Sequence, residues 1–229
     1  MIDDTHDRPD VDVAVWDGAV RIVHWLMVLL LVVLLATGLI GNDWLAWHMR
    51  AGYSMLALLL FRILWGFVGS RNARFVSFVR GPGAVRRYAR SLKARAHDAH
   101  ATHNPLGAWM VIALLAALLL QCALGLFTND DVLYEGPLVR HITKDLSDTL
   151  SSLHRRGWWV VVALASVHIG AVATYYTMLS DDLVRPMFTG MKRLPRELAD
   201  ASLARASTAL AVAIFAFCAA AVWWLVTRF

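Results

Sequence analysis

Residues 152–179 read SLHRRGWWVVVALASVHIGAVATYYTML, an apolar run that carries two histidines, His154 and His168. A membrane-crossing helix needs about 20 mostly apolar residues, and this stretch meets that length. Ionisable groups at membrane depth are rare and usually face a bundle interior, where they serve a ligand, an ion or a proton path. His168 follows His154 by fourteen residues, which is about 21 Å of rise and about 3.9 turns of helix. Both imidazoles therefore leave nearly the same helix face, one towards each side of the membrane.

Four further stretches have the same character: Arg21 to Gly41, Leu45 to Val68, Leu106 to Thr128 and Leu203 to Thr227. Hydrophobic residues make up 59% of the 229, and the mean hydropathy of +0.54 excludes an ordinary soluble domain. Tryptophans fall near the span ends (Trp25, Trp44, Trp47, Trp65, Trp109, Trp158, Trp159, Trp223, Trp224), where amphipathic rings sit at headgroup level. The net charge of +5 does not mark a nucleic-acid binder, because the basic residues cluster between spans. Arg71, Arg74, Arg80, Arg86, Arg87, Arg90, Lys93 and Arg95 follow span 2, and Arg185, Lys192, Arg193 and Arg196 follow span 4. The opposite connection holds Arg140 and Lys144 among Asp130, Asp131, Glu135, Asp145 and Asp148. The positive-inside rule then puts the N-terminus in the cytoplasm and the C-terminus outside. The first twenty residues, with Asp3, Asp4, Asp7, Asp10 and Asp12 and no basic n-region, read as a cytoplasmic tail before an uncleaved first span. Ala84 to Ala96 reads either as a basic surface helix on anionic lipid or as a solvated loop.

Four of the nine histidines lie within spans: His24, His48, His154 and His168. Given the orientation above, His24 sits one turn in from the cytoplasm, and His48 and His154 fall in the first turns of their helices near the outer face. Depth pairs His48 with His154 outside and His24 with His168 inside. Two opposed imidazoles from neighbouring helices complete a six-coordinate haem iron, which has no open position for oxygen chemistry and suits electron transfer. Zinc would need more ligands converging at one level. The two cysteines, Cys122 and Cys218, form no CxxCH, so two non-covalent b-type haems are expected. Gly38, Gly52, Gly66, Gly107, Gly125, Gly157 and Gly170 either admit flat macrocycles or serve small-residue helix packing. Arg62, fourteen residues beyond His48, reaches the inner level, as partner to a haem propionate or as a side chain snorkelling to the surface. Arg50, Arg155 and Arg156 stand in the same relation to the outer haem, or are simply interfacial.

Arg21-Ile22-Val23-His24-Trp25, His48 followed by Gly52 and then Phe61-Arg62-Ile63-Leu64-Trp65, His103-Asn104-Pro105-Leu106-Gly107, and the His154–His168 interval together resemble the bacterial cytochrome b561 superfamily. That superfamily includes the b-type cytochrome subunits of membrane nickel–iron hydrogenases and formate dehydrogenases. The resemblance covers roughly Val15 to Gly190. It implies an all-α integral membrane fold, with a four-helix transmembrane di-haem bundle within residues 21–190. The fifth C-terminal transmembrane helix over 203–227 departs from that pattern and suits docking or homo- or hetero-oligomerisation. It also implies a chain in the bacterial inner membrane that passes electrons between a quinone, ubiquinone or menaquinone, and a periplasmic cytochrome, dehydrogenase or hydrogenase subunit. By the same resemblance His103 and Asn104 are candidates for quinone hydrogen bonding. The competing reading of Asn104 and Pro105 is a helix cap. The spacing of His97, His100 and His103 fits a solvated basic loop better than a metal site. Two other functions compete: a self-sufficient superoxide:quinone oxidoreductase drawing an anion to Arg50, Arg155 and Arg156, and a non-redox anchor or transporter whose histidines relay protons.

Overall fold

A computed structural model describes residues 10–93, 101–196, 198 and 206–229. Asp3, Asp4, Asp7, His6, Arg95, His97, His100 and the opening of the last expected span at 203–205 lie outside the described residues. In chain order the elements are β1 (Val11–Ala14), α1 (Gly18–Ile40), α2 (Leu45–Val68), α3 (Phe75–Phe78), α4 (Pro82–Lys93), α5 (Pro105–Gly125), α6 (Lys144–Met178), α7 (Arg185–Thr189), β2 (Met191–Leu194) and α8 (Thr208–Arg228). Five of these helices, α1, α2, α5, α6 and α8, are long and apolar enough to cross a membrane. The chain is an all-α integral membrane protein, with one small antiparallel pair of strands at an end.

Local chemistry sets the helix starts. The Asp17 carboxylate accepts from the Val20 N–H at 2.7 Å, and the Asn104 side chain accepts from the Gly107 N–H at 2.8 Å with Pro105 in the first turn, both of them N-caps. Thr143 caps α6, so this helix begins eight residues before the apolar run and His154 lies in its third turn rather than its first. The polar segment 144–151 is held as helix because Asn129, in the preceding loop, bonds Ser147 and Ser151, and the Ser147 hydroxyl donates to the Phe127 carbonyl at 2.8 Å.

α2 is the central helix. It packs against α1 and α8 and also meets α5, while α6 packs chiefly on α5. Fully buried Met55 and Leu59 pack with Leu115 of α5, and fully buried Phe61 and Trp65 pack with Val20 and Val23 of α1 and Cys218 of α8. Helix α8 covers the outside of α2, with Phe215 edge-on to Phe61 and Cys218 buried, whereas Val212, Phe217, Trp223 and Trp224 point outward. At the end bearing the arginine-rich connections, here the basic end, β1 pairs with β2 from Val11↔Leu194 to Ala14↔Met191. Beside it the basic 82–93 segment is helical, with Arg86, Arg87 and Arg90 exposed and Tyr88 buried.

One boundary tryptophan departs from expectation. Trp65 is 1% exposed, and its indole N–H donates to Asp17 at 3.0 Å. Asp17 also accepts from the Ser70 hydroxyl. The carboxylate that caps α1 thus draws this ring inward and ties the basic end of α2 to the start of α1.

Candidate functional site

At the opposite, acidic end, α1, α2, α5 and α6 enclose about 820 Å³ of non-protein space, part of it open at the surface. His48 and His154 face each other across it, with ring centroids 6.0 Å apart and planes at 87°. The remaining lining is mostly aliphatic, with Leu31, Leu34, Leu118, Leu126 and Val161 among it.

Each ring is held the same way. His48 Nδ1 lies 3.0 Å from the Leu34 carbonyl of α1, and His154 Nδ1 lies 3.0 Å from the Gln121 carbonyl of α5. A carbonyl only accepts, so both Nδ1 atoms carry the proton and both Nε2 lone pairs are free. The reason the rings can reach a helix backbone lies four residues on. A side chain at i+4 would cover the carbonyl at i, and those positions are Gly38 and Gly125. A Cβ at Gly38 would stand 3.1 Å from His48 Cε1, and one at Gly125 would stand 3.1 Å from His154 Cε1. α5 and α6 are further clasped because the Gln121 side-chain amide donates back to the His154 carbonyl at 2.7 Å. Gly157 leaves room for that amide, since a Cβ there would fall 2.4 Å from Gln121 Oε1.

With a metal–nitrogen bond of roughly 2 Å and a ring radius of about 1.1 Å, two imidazoles on opposite sides of one iron have centroids roughly 6 Å apart. The observed separation, the free Nε2 atoms and the apolar lining fit a bis-imidazole haem. The Nδ1–carbonyl bonds are the outer contacts that usually orient such ligands. Arg50 and Arg155 are exposed. The Arg50 guanidinium lies over Trp47 at 4.9 Å, and Arg155 is within electrostatic reach of His154 and Asp148.

At the basic end His24 and His168 are within electrostatic reach of each other, and of His103. His24 Nδ1 is buried with no hydrogen-bond partner among the described residues, a state that costs about 1–3 kcal/mol unless something fills it. Arg62 is 5% exposed and stays inside rather than reaching the surface. It donates to the Ala73 carbonyl at 3.4 Å, lies over Phe75 at 5.2 Å, and has Asp17 as its nearby anion. His103 packs between Trp16 and Phe78, with centroids 4.9 and 4.8 Å away. Burial first, and then the positive charge of Arg62, push its pKa down to about 3, which makes it a neutral imidazole at physiological pH. Asn104 caps α5 and also hydrogen-bonds Tyr175.

Among the described residues no group of three or more His, Cys, Asp or Glu side chains converges on a metal position. Sequence reading passed over Gln121, although it is the one amide in its span and a polar group at such depth usually bridges helices. Asp17 and the tethering roles of Gly38 and Gly125 carried no comparable signal.

The model of the prokaryotic cytochrome b561 family matches residues 15–190, ending before α8. Curated relatives include a probable Ni/Fe-hydrogenase B-type cytochrome subunit of Bradyrhizobium diazoefficiens, 25% identical over 81% of this chain and 87% of that protein. The corresponding protein of Rhodobacter capsulatus is 24% identical over 80% and 82%. A probable Ni/Fe-hydrogenase 1 B-type cytochrome subunit of Escherichia coli K12 is 26% identical over 78% and 89%. No solved structure matches the chain.

Proposed function

The chain belongs to the prokaryotic cytochrome b561 family, a b-type electron-transfer cytochrome of the membrane, and from that premise we propose that it carries electrons across the bilayer through two haems between a quinone and a periplasmic redox protein. The observation that carries this reading is the pair His48 and His154 at 6.0 Å, each with its Nδ1 proton tied to a helix carbonyl. These two would hold one haem, and His24 with His168 the other. Haem bound in this way supplies a one-electron couple with no free coordination position. The chain's own work is to fix both ring orientations in advance, exclude water with leucine and valine, and keep Arg62 with its counter-ion Asp17 near the basic-end pair.

The arginine-rich connections support a cytoplasmic basic end and a periplasmic acidic end in the bacterial inner membrane. On this reading residues 1–20 are a cytoplasmic tail, 21–190 the haem-bearing unit and 203–227 an added span, whose outward face is available for oligomer contacts. The relatives named as hydrogenase cytochrome subunits support a hydrogenase-type partner at the acidic end. His103, neutral and shielded, and Asn104 are suited to hydrogen-bond a ubiquinone or menaquinone carbonyl near His24 and His168.

The test is stoichiometric. Pyridine haemochrome analysis of the purified chain is expected to give two haem b per chain, with two midpoint potentials in a redox titration; one haem, or none, overturns the proposal. A second expectation concerns the tether. Gly125→Ala brings a methyl against the His154 ring and loosens its bond to the Gln121 carbonyl. Loss of such an orienting contact typically costs 10–100-fold in metal-site affinity, so haem release from one site on dilution should accelerate by about that factor while the other site is unchanged.

A further inference from the structure

Below the inner histidines a row of polar side chains runs through the interior. Along α6, residues seven apart share a face, and the sequence at that interval runs Ser147, His154, Val161, His168, Tyr175. Tyr175 is therefore about 10 Å beyond His168 on the same stripe. Its side chain is buried, and its hydroxyl is 2.7 Å from that of Tyr88, equally buried, on the basic surface helix α4. Tyr175 also hydrogen-bonds Asn104, next to His103, which in turn lies within reach of His24 and His168. Asp181 is within electrostatic reach of Tyr175 and is paired with buried Lys192 at 2.9 Å. A continuous row of hydroxyl and amide groups thus leads from α4, whose far face bears exposed Arg86, Arg87 and Arg90, to the neighbourhood of the inner histidines.

We propose that Tyr88 and Tyr175 form the proton relay that serves quinone chemistry at the basic end, an inference that rests on the quinone reading above. Conversion of a quinone to its quinol takes two electrons and two protons. The electrons come from the reduced cytochrome. Each proton passes from water at the basic surface to the Tyr88 hydroxyl, from there to Tyr175, and on to the quinone oxygen, with each phenol reprotonated by the one before it. The carboxylate of Asp181 favours a passing proton, Lys192 balances that charge, and neutral His103 faces the delivery end.

The experiment uses the full haem-loaded chain in detergent, reduced and then mixed with decylubiquinone or a short-chain menaquinone by stopped flow in H₂O and D₂O. Tyr175→Phe is expected to slow haem reoxidation roughly 10²-fold, the lower end of general acid contributions. Both haem midpoints should stay unchanged, and a tyrosine band should disappear from the redox infrared difference spectrum. Tyr88→Phe, which leaves the bond between Tyr175 and Asn104 in place, should act in the same direction and covers the case in which the first variant fails to fold. An unchanged rate in both variants overturns the relay alone. Slowing accompanied by a shifted midpoint or lost haem also overturns it, since the phenols would then only pin α4 to α6. If the unaltered chain reacts with neither quinone, the quinone reading falls and the relay falls with it.

Discussion

Purified His154→Ala protein is expected to retain one haem per chain instead of two, with one of the two midpoint potentials missing from its redox titration. His154 faces His48 at 6.0 Å, and on the haem reading the two rings together would hold one iron. Removing either would leave that iron with one protein ligand in a pocket built for two, and the haem is expected to be lost during purification. The same haem should therefore be lost from His48→Ala, from His154→Ala and from the double variant, three changes with one outcome. Residues acting as a unit are non-additive in this way. His168→Ala should remove the other signal, and a variant lacking one histidine of each pair, such as His154→Ala combined with His168→Ala, should give a colourless chain. A double variant of His48 and His154 that lost more haem than either single change would place the two rings at different irons and end the pairing.

The second large effect belongs to Asp17 and concerns stability. Asp17→Ala removes the N-cap of α1, about 1 kcal/mol. It also strands the Trp65 indole N–H and the Ser70 hydroxyl, both on residues 1% exposed, and each buried orphan costs about 1–3 kcal/mol. The total expected loss is about 3–7 kcal/mol, read as a lowered midpoint in thermal unfolding followed by circular dichroism. Asp17→Asn, which keeps an acceptor for the cap, should lose less. Asp17→Ala with Trp65→Phe should recover about 1 kcal/mol, because the stranded indole donor is gone. A midpoint unmoved by Asp17→Ala would show that water reaches these groups and that the carboxylate is not a structural hub.

How much of this was legible beforehand depended on whether the signal was local. Five apolar spans could be read directly, because hydrocarbon thickness fixes the length of the pattern. The grouping of the four span histidines by depth also followed from helical rise and the polarity of the connections. Three things were hidden. The start of α6 lies eight residues early because a cap and the contacts of Asn129, not hydropathy, hold Lys144–Ser151 as helix. The β1–β2 pairing joins segments that flank the family-matched region on either side, and nothing in Val11–Ala14 alone names its partner. Trp65 was grouped with headgroup tryptophans because its place near a span end is visible in sequence, whereas the carboxylate that pulls it inward is 48 residues away.

The twin tethers bear on how the molecule is made. His48 is fastened to α1 and His154 to α5, in each case the transmembrane helix that precedes it in the chain. Each antiparallel helical hairpin therefore carries the tether that aims its own imidazole, and neither needs the other for that contact. On the haem reading the cofactor pocket would be two prefabricated halves, with the iron as the clasp that joins them.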